Sequence, residues 1–185
     1  MTITHTARSG KIYYLHRMIA KTGRPKYFFS SKDDGNLADR IPDGYEIYEN
    51  VRAQVFLRKK SPPIIRENEL QIVQDHLRKD AEEWKYRVEI KKRMIVIHEA
   101  RGDYSVISEW ASKEAIEKLK QSCTDYMPMM RFILIDDDKR TFAPQRYCFR
   151  GSVEDWIDIG KSDSMASLAR RYMKHLGKDS FYELF

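Results

Sequence analysis

The chain has 185 residues, 42% of them hydrophobic and 34% charged. Leu, Ile, Val and Phe make up 42 of the 185, above the roughly 20% floor for a disordered chain. That density excludes disordered and collagen-like chains and allows a well-filled core. The formal net charge of +6 gives weak attraction for polyanions. It is unevenly placed: residues 1–66 carry 13 basic and 6 acidic side chains, a net +7.

Thr2–Arg8 has no apolar stretch of the kind that opens a signal peptide. The longest aliphatic runs, Met94–Ile97 and Phe132–Ile135, are far short of the ~20 residues that span a bilayer. Cys123 and Cys148 form no CxxC and read as small core hydrophobes with reduced thiols. A soluble, cytoplasmic protein with no membrane contact is expected.

Lys11–Ile19 and Lys26–Ser31 are rich in aromatic and β-branched residues and flank Thr22-Gly23-Arg24-Pro25, which predicts a hairpin. Leu37–Ile41 reads as one helical turn. Tyr45–Glu49 and Gln54–Lys60 are strand candidates after the Pro42-Asp43-Gly44 turn. Ser61-Pro62-Pro63 breaks the pattern. Residues 1–60 are therefore expected to be a basic β-rich module, 61–66 a Pro-containing connection, and 67–185 an α+β module.

Leu70, Val73, Leu77, Ala81 and Trp84 recur at helical spacing, opposite Asp75, Arg78, Lys79 and Glu82. Tyr86–Lys92 alternates and Met94–Glu99 reads as a buried strand; one bent strand and a hairpin are both compatible with them. Arg101-Gly102-Asp103 is a turn and Tyr104–Trp110 a strand. Ser112 suits an N-cap, with Ala115, Ile116, Leu119 and Cys123 as the inner stripe of a short helix. Arg131–Asp136 is a strand, and Asp137–Arg140 a turn. The chain returns through Phe142 to Arg146–Arg150, with Pro144 marking an edge or bulge.

Ser152-Val153-Glu154-Asp155 resembles a capping box, predicting a helix that ends near Gly160. Ser162 or Ser164 starts a last helix lined by Leu168, Tyr172 and Leu176, with Gly177 beyond its end. The apolar Phe181–Phe185 tail docks on the core or on a partner. The predicted fold class is α+β, a small antiparallel β-rich N-terminal module followed by an α+β module with antiparallel strands and about four helices.

Chemistry is sparse. His5, His16, His76, His98 and His175 include no pair at metal-ligand spacing. Asp136-Asp137-Asp138 lacks the spaced ligands of a calcium loop and reads as a charged turn. No nucleophile elbow and no glycine-rich phosphate loop is present, and no metal or cofactor is implied. Glu89-Ile90-Lys91 places a carboxylate and an ammonium on one strand face. That fragment is similar to one in the restriction-endonuclease-like nucleases, where acids hold magnesium and a lysine orients water. Asp75 or Asp80 would have to complete such a site, yet both fall on the preceding helix, where that family uses an adjoining strand. Alternation on a wet strand face accounts for the tripeptide equally well.

The N-terminal module carries the clearest signal. Taken in one assumed register, Lys11, Tyr13, Arg17, Lys26, Phe28, Phe56, Arg58 and Lys60 share a sheet face of cations and aromatic rings. Cations meet phosphates while rings stack on bases. The expected role is non-catalytic binding of DNA or RNA. The alternative is a protein-interaction or scaffold subunit docking through Phe181–Phe185, and a metal-dependent nuclease using Glu89 and Lys91 is the remote one.

Overall fold

The aromatic and β-branched runs do form strands. A computed structural model describes residues 2–80, 84–102, 104, 110–150 and 153–184. In it Thr4–Thr6 (β1), Ile12–Ile19 (β2) and Pro25–Ser30 (β3) make a three-stranded antiparallel sheet in the order β1-β2-β3. Tyr45–Glu49 (β4) and Val55–Lys59 (β5) pair as a separate antiparallel ladder. The expected helical turn at Leu37–Ile41 is absent. β1 pairs only with Ile12–Tyr14, leaving further backbone of β2 to be met. Extended backbone meets it: Leu37 bridges His16, the Ala38 amide donates to the Leu15 carbonyl at 2.7 Å, and the Arg17 amide donates to the Asn36 carbonyl at 2.8 Å.

The chain divides into two compact units, one of Met1–Pro62 with Asp103–Thr124, the other of Pro63–Gly102 with Asp125–Phe185. In the first, Ala7, Ala53 and Val55 form a small core with Tyr13, Phe29 and Ile47 against it. The Arg8 guanidinium donates to the carbonyls of Val51 and Cys123. Lys113–Gln121 is a helix (α2) whose Ser112 cap accepts from the Ala115 amide at 3.2 Å. Its expected inner stripe is not buried. Ala115 is exposed, Leu119 is 45% exposed and Ile116 is half-buried, while Cys123 is buried just beyond the helix. Amphipathic spacing shows where an apolar stripe lies, not what covers it.

The second unit starts with the helix Glu67–Asp80 (α1). Tyr86–Lys91 (β6), Met94–Ala100 (β7), Tyr126–Asp136 (β8), Thr141–Arg150 (β9) and Val153–Asp158 (β10) follow, and the sheet order is β10-β9-β8-β7-β6. Every neighbour is antiparallel, and Asp163–Ser164 (β11) also pairs with β9. β6 and β7 are thus a hairpin. Where the capping-box motif predicted a helix, β10 is a strand paired along Gln145–Arg150 of β9. A short Ser-x-x-Asp match is outweighed by a six-residue ladder, so the described residues hold three α-helices and not about four. Pro144 lies in an interior strand, not at an edge. Its carbonyl accepts from Ile159 at 3.2 Å, where β10 gives out and β11 has not begun, so the missing amide falls in that gap.

One sheet face is dry. Ile95, Ile97, Met130, Phe132, Leu134 and Phe142 are covered by Val73 of α1, by Leu168, Ala169 and Tyr172 of the helix Met165–Tyr172 (α3), and by Phe181. The tail therefore docks on the core: Phe181 is fully buried, and buried Arg146 donates to the Leu184 carbonyl at 2.8 Å and the Tyr182 carbonyl at 3.1 Å. Ala81, Glu82, Asp103, 105–109 within the Tyr104–Trp110 strand, Ser152 and Phe185 lie outside the described residues. Both cysteines are free thiols. No helix among the described residues is long and apolar enough to cross a membrane.

Of the two serines that could start the last helix, Ser164 does so. Its Oγ accepts from the Ser167 amide at 3.4 Å, and Asp163 Oδ2 accepts from Ser167 Oγ at 2.6 Å and from the Arg171 guanidinium at 3.3 Å. Ser164→Ala is expected to cost about 1 kcal/mol, read as a lower urea midpoint with an unchanged slope.

Candidate nucleic-acid interface

The register of the N-terminal strands disperses the eight residues expected to share a face. Tyr14 pairs with Ser30, His16 with Phe28 and Met18 with Lys26, so even-numbered residues of β2 and β3 share one face. Lys26 and Phe28 therefore lie opposite Tyr13 and Arg17. Tyr13 packs against the small core, with the Lys11 ammonium 5.5 Å from its ring centroid. Phe56 and Arg58 belong to the β4–β5 ladder, and Lys60 follows it directly, its amide donating to the Gly44 carbonyl at 2.8 Å. There Arg58 Nε is 2.7 Å from Glu46 Oε1 and its guanidinium lies 4.2 Å from the Tyr48 ring centroid. Phe56 and Lys60 are exposed. The slip is one residue between β2 and β3, which is enough to turn a shared face into two.

A face of the expected composition does exist, on the second unit. Cross-strand partners point to the same side of a sheet. Arg87↔His98, Glu89↔Val96 and Lys91↔Met94 set that side for β6 and β7. Val96↔Arg131, Arg131↔Gln145, Gln145↔Asp158 and Tyr147↔Trp156 carry it across β8, β9 and β10. This is the face opposite α1 and α3. On it the Arg131 guanidinium lies 4.3 Å from the Trp156 ring centroid. Arg131 Nε donates to Gln145 Oε1 at 2.7 Å, and Gln145 Nε2 donates to Asp158 Oδ1 at 2.8 Å. Burial pushes the Arg131 guanidinium below its ordinary value, against the opposing pull of Asp155 and Asp158. It is a cation held in place and partly stripped of water.

Next to it Tyr147 packs edge-on to Trp156, with centroids 5.1 Å apart, and to Phe149, at 4.7 Å. Tyr147 and Trp156 are half-buried and Phe149 is 41% exposed. Three rings and the Arg131 guanidinium thus cluster on one face of β8–β10.

The β6–β7 end of this face holds the tripeptide singled out in the sequence. Glu89 is buried, with Oε2 lying 3.0 Å from Lys91 Nζ and 3.1 Å from His98 Nε2. Glu89 and Lys91 do share a face, and the hairpin adds His98. Asp75 does not join them. It sits on α1, which covers the other face, and accepts from Gln71 Nε2 at 2.7 Å. No group of three or more His, Cys, Asp or Glu able to hold a metal occurs among the described residues. The aspartate run is a turn: Asp136 Oδ1 accepts from the Lys139 amide at 2.9 Å and the Asp138 amide at 3.0 Å. Those backbone bonds, the Lys139 one foremost, hold its carboxyl below the usual range.

The fold and site together define an antiparallel α+β protein with an aromatic and cationic sheet face. Comparison of the chain with protein-family models, curated proteins and solved structures gives no match.

Proposed function

We propose that the chain is a non-catalytic binder of single-stranded nucleic acid. Bases stack on Tyr147, Phe149 and Trp156, while Arg131 and Lys91 attract phosphates. The observation that carries this reading is the fixed guanidinium lying over Trp156 beside two further rings on one sheet face. The basic N-terminal residues, Lys26, Arg58 and Lys60 among them, add charge that speeds and strengthens encounter without reading sequence.

The test is fluorescence anisotropy of labelled single- and double-stranded oligonucleotides against nuclease-treated protein at low and physiological salt. Stacking contributes about 1–3 kcal/mol per base, so Trp156→Ala is expected to weaken single-strand binding roughly 5- to 150-fold. Arg58→Glu with Lys60→Glu is expected to flatten the salt dependence by about one unit of slope for each phosphate that the side chains no longer neutralise. Absence of binding at low salt would overturn the reading.

A second reading, a protein-interaction subunit, is supported by the exposed Leu119 on α2 and by Trp110, which is 86% exposed. The same measurement separates the two, since an interaction subunit gives no salt-dependent oligonucleotide signal.

A further inference from the structure

Three buried side-chain nitrogens on the sheet face opposite α1 and α3 make no hydrogen bond among the described residues. They are Arg87 Nε, His98 Nδ1 and His98 Nε2, on residues directly opposite each other in β6 and β7; of these, His98 Nε2 lies 3.1 Å from Glu89 Oε2. His98 is only 5% exposed. An unmet buried donor costs about 1–3 kcal/mol, and more when it carries charge. Native folds keep few such groups, and a bound ion or a functional use is one reason they are kept. Arg87 Nε presents an N–H, and His98 Nδ1 presents one when its ring carries the proton there.

The charges around them are unbalanced. Glu89 Oε2 already lies within ion-pairing distance of both Lys91 and His98. The Arg87 guanidinium faces the Tyr126 ring at 6.0 Å, and no ion pair joins it to a carboxylate among the described residues. Among the described residues, Arg87 is the cation of this corner with no carboxylate paired to it. Guanidinium is the side chain whose fork fits the oxygens of a phosphate. Lys91, half-exposed, stands beside the pair as a second cation that an incoming phosphate would meet.

We infer that Arg87 and His98 bind a phosphate monoester, the terminal phosphate of the strand that stacks on the Trp156 platform. This rests on the nucleic-acid reading for its ligand, but the site stands on its own donors. β6 and β10 are the two edges of one sheet, four strand spacings or roughly 19 Å apart. A strand stacked over β8–β10 and running across the face reaches this corner within a few nucleotides. An internal phosphodiester brings one charge to the two cations of this corner, Arg87 and Lys91, whereas a terminal monoester brings a second charge and a third free oxygen. The site therefore selects strand ends.

The experiment compares oligonucleotides of one sequence ending in 5′-phosphate, 3′-phosphate or hydroxyl at both ends, by anisotropy at fixed salt. The expected result is that one phosphorylated end binds at least tenfold tighter than the hydroxyl strand. Arg87→Gln, and separately the charge-keeping Arg87→Lys, are expected to shrink that ratio toward one. Equal affinity for all three strands, or a ratio that survives both variants, overturns the inference while leaving the platform reading intact. If no strand binds, the platform reading fails, and inorganic phosphate then probes the site alone. A rise in Tm with phosphate, abolished in Arg87→Lys, supports the site as one for free phosphate, and no rise overturns it.

Discussion

Replacing Arg140 by alanine is expected to destabilise the fold by about 3–5 kcal/mol, because it leaves the Glu69 carboxylate buried without its cation. Arg140 Nε donates to Glu69 Oε1 at 2.8 Å and its terminal nitrogen to Oε2 at 2.5 Å, a two-pronged pair from the β8–β9 turn to the first turn of α1. The same nitrogen reaches the Ile64 carbonyl at 3.1 Å. Glu69 Oε2 also accepts from the Arg66 amide at 2.8 Å, so one carboxylate caps the helix and anchors the turn. Arg140 holds this position with φ +52, a left-handed conformation that a side chain adopts at a cost of roughly 1–2 kcal/mol. Arg140→Gly relieves that strain and is therefore expected to cost less than Arg140→Ala, although neither variant can form the pair. Urea titrations of the two variants decide it, and a loss under about 1 kcal/mol for Arg140→Ala would show the pair to be of surface strength.

The same pair sets an acid limb of stability. Burial pushes the Glu69 carboxyl up, but the hydrogen bond from Arg140, the Arg66 amide and the two nearby positive charges outweigh it and hold the carboxyl below the usual glutamate range. A folded-state pKa below the unfolded one means stability that is fully present at neutral pH. It is lost as pH falls below the ordinary glutamate range and through the lower folded value. Glu69→Gln is expected to be less stable than the parent at neutral pH and to lose less on acidification. Parallel stability curves for the two proteins below the glutamate range would contradict the assignment.

Gly160→Ala is expected to cost about 3 kcal/mol or more, from two effects that add. Gly160 has φ +155, a region that is essentially glycine's own, with strain of about 1–3 kcal/mol for other residues. A methyl group there would also lie 2.0 Å from Tyr172 Oη and 3.1 Å from Cζ. Tyr172, the last residue of α3, is buried in the core, so shifting its ring disturbs packing, and such overpacking costs typically 1–3 kcal/mol. Tyr172→Phe removes the nearest atom, so in the Gly160→Ala background it is expected to recover part of the loss and leave the backbone strain. No recovery in the double variant would place the whole cost in the backbone. Local sequence suggests a helix end at Gly160; the glycine instead follows β10, with its backbone turned against the tyrosine of the next helix.

The candidate site is legible in the sequence only in pieces. Alternation in Tyr86–Lys91 correctly puts Glu89 and Lys91 on one side of a strand. It cannot show His98 beside them, because that contact depends on β6 and β7 folding back on each other with Arg87 opposite His98. Tyr147 and Phe149 alternate visibly in the sequence. Their partner Trp156 is hidden, because the four residues before it spell a helix cap and nothing local says that β9 will accept them as a strand. The N-terminal face fails for a related reason. Each strand is visible by itself, but the pairing of Tyr14 with Ser30 separates Lys26 and Phe28 from Tyr13 and Arg17.

By itself, the sequence determined what depends on neighbours along the chain: most of the strands with their period of two, the helices α1, α2 and α3 with the Ser112 cap of α2 and a serine cap on α3, the aspartate turn, and the concentration of positive charge before residue 67. These follow from backbone sterics, short-range capping bonds and composition, which a few residues settle among themselves. Only the tertiary structure decided the strand order, the register and which face of each strand is covered. Those choices turn on ladder bonds and buried area shared by residues far apart in sequence. A shift of one residue leaves every local preference satisfied while moving a whole set of side chains to the other side of the sheet.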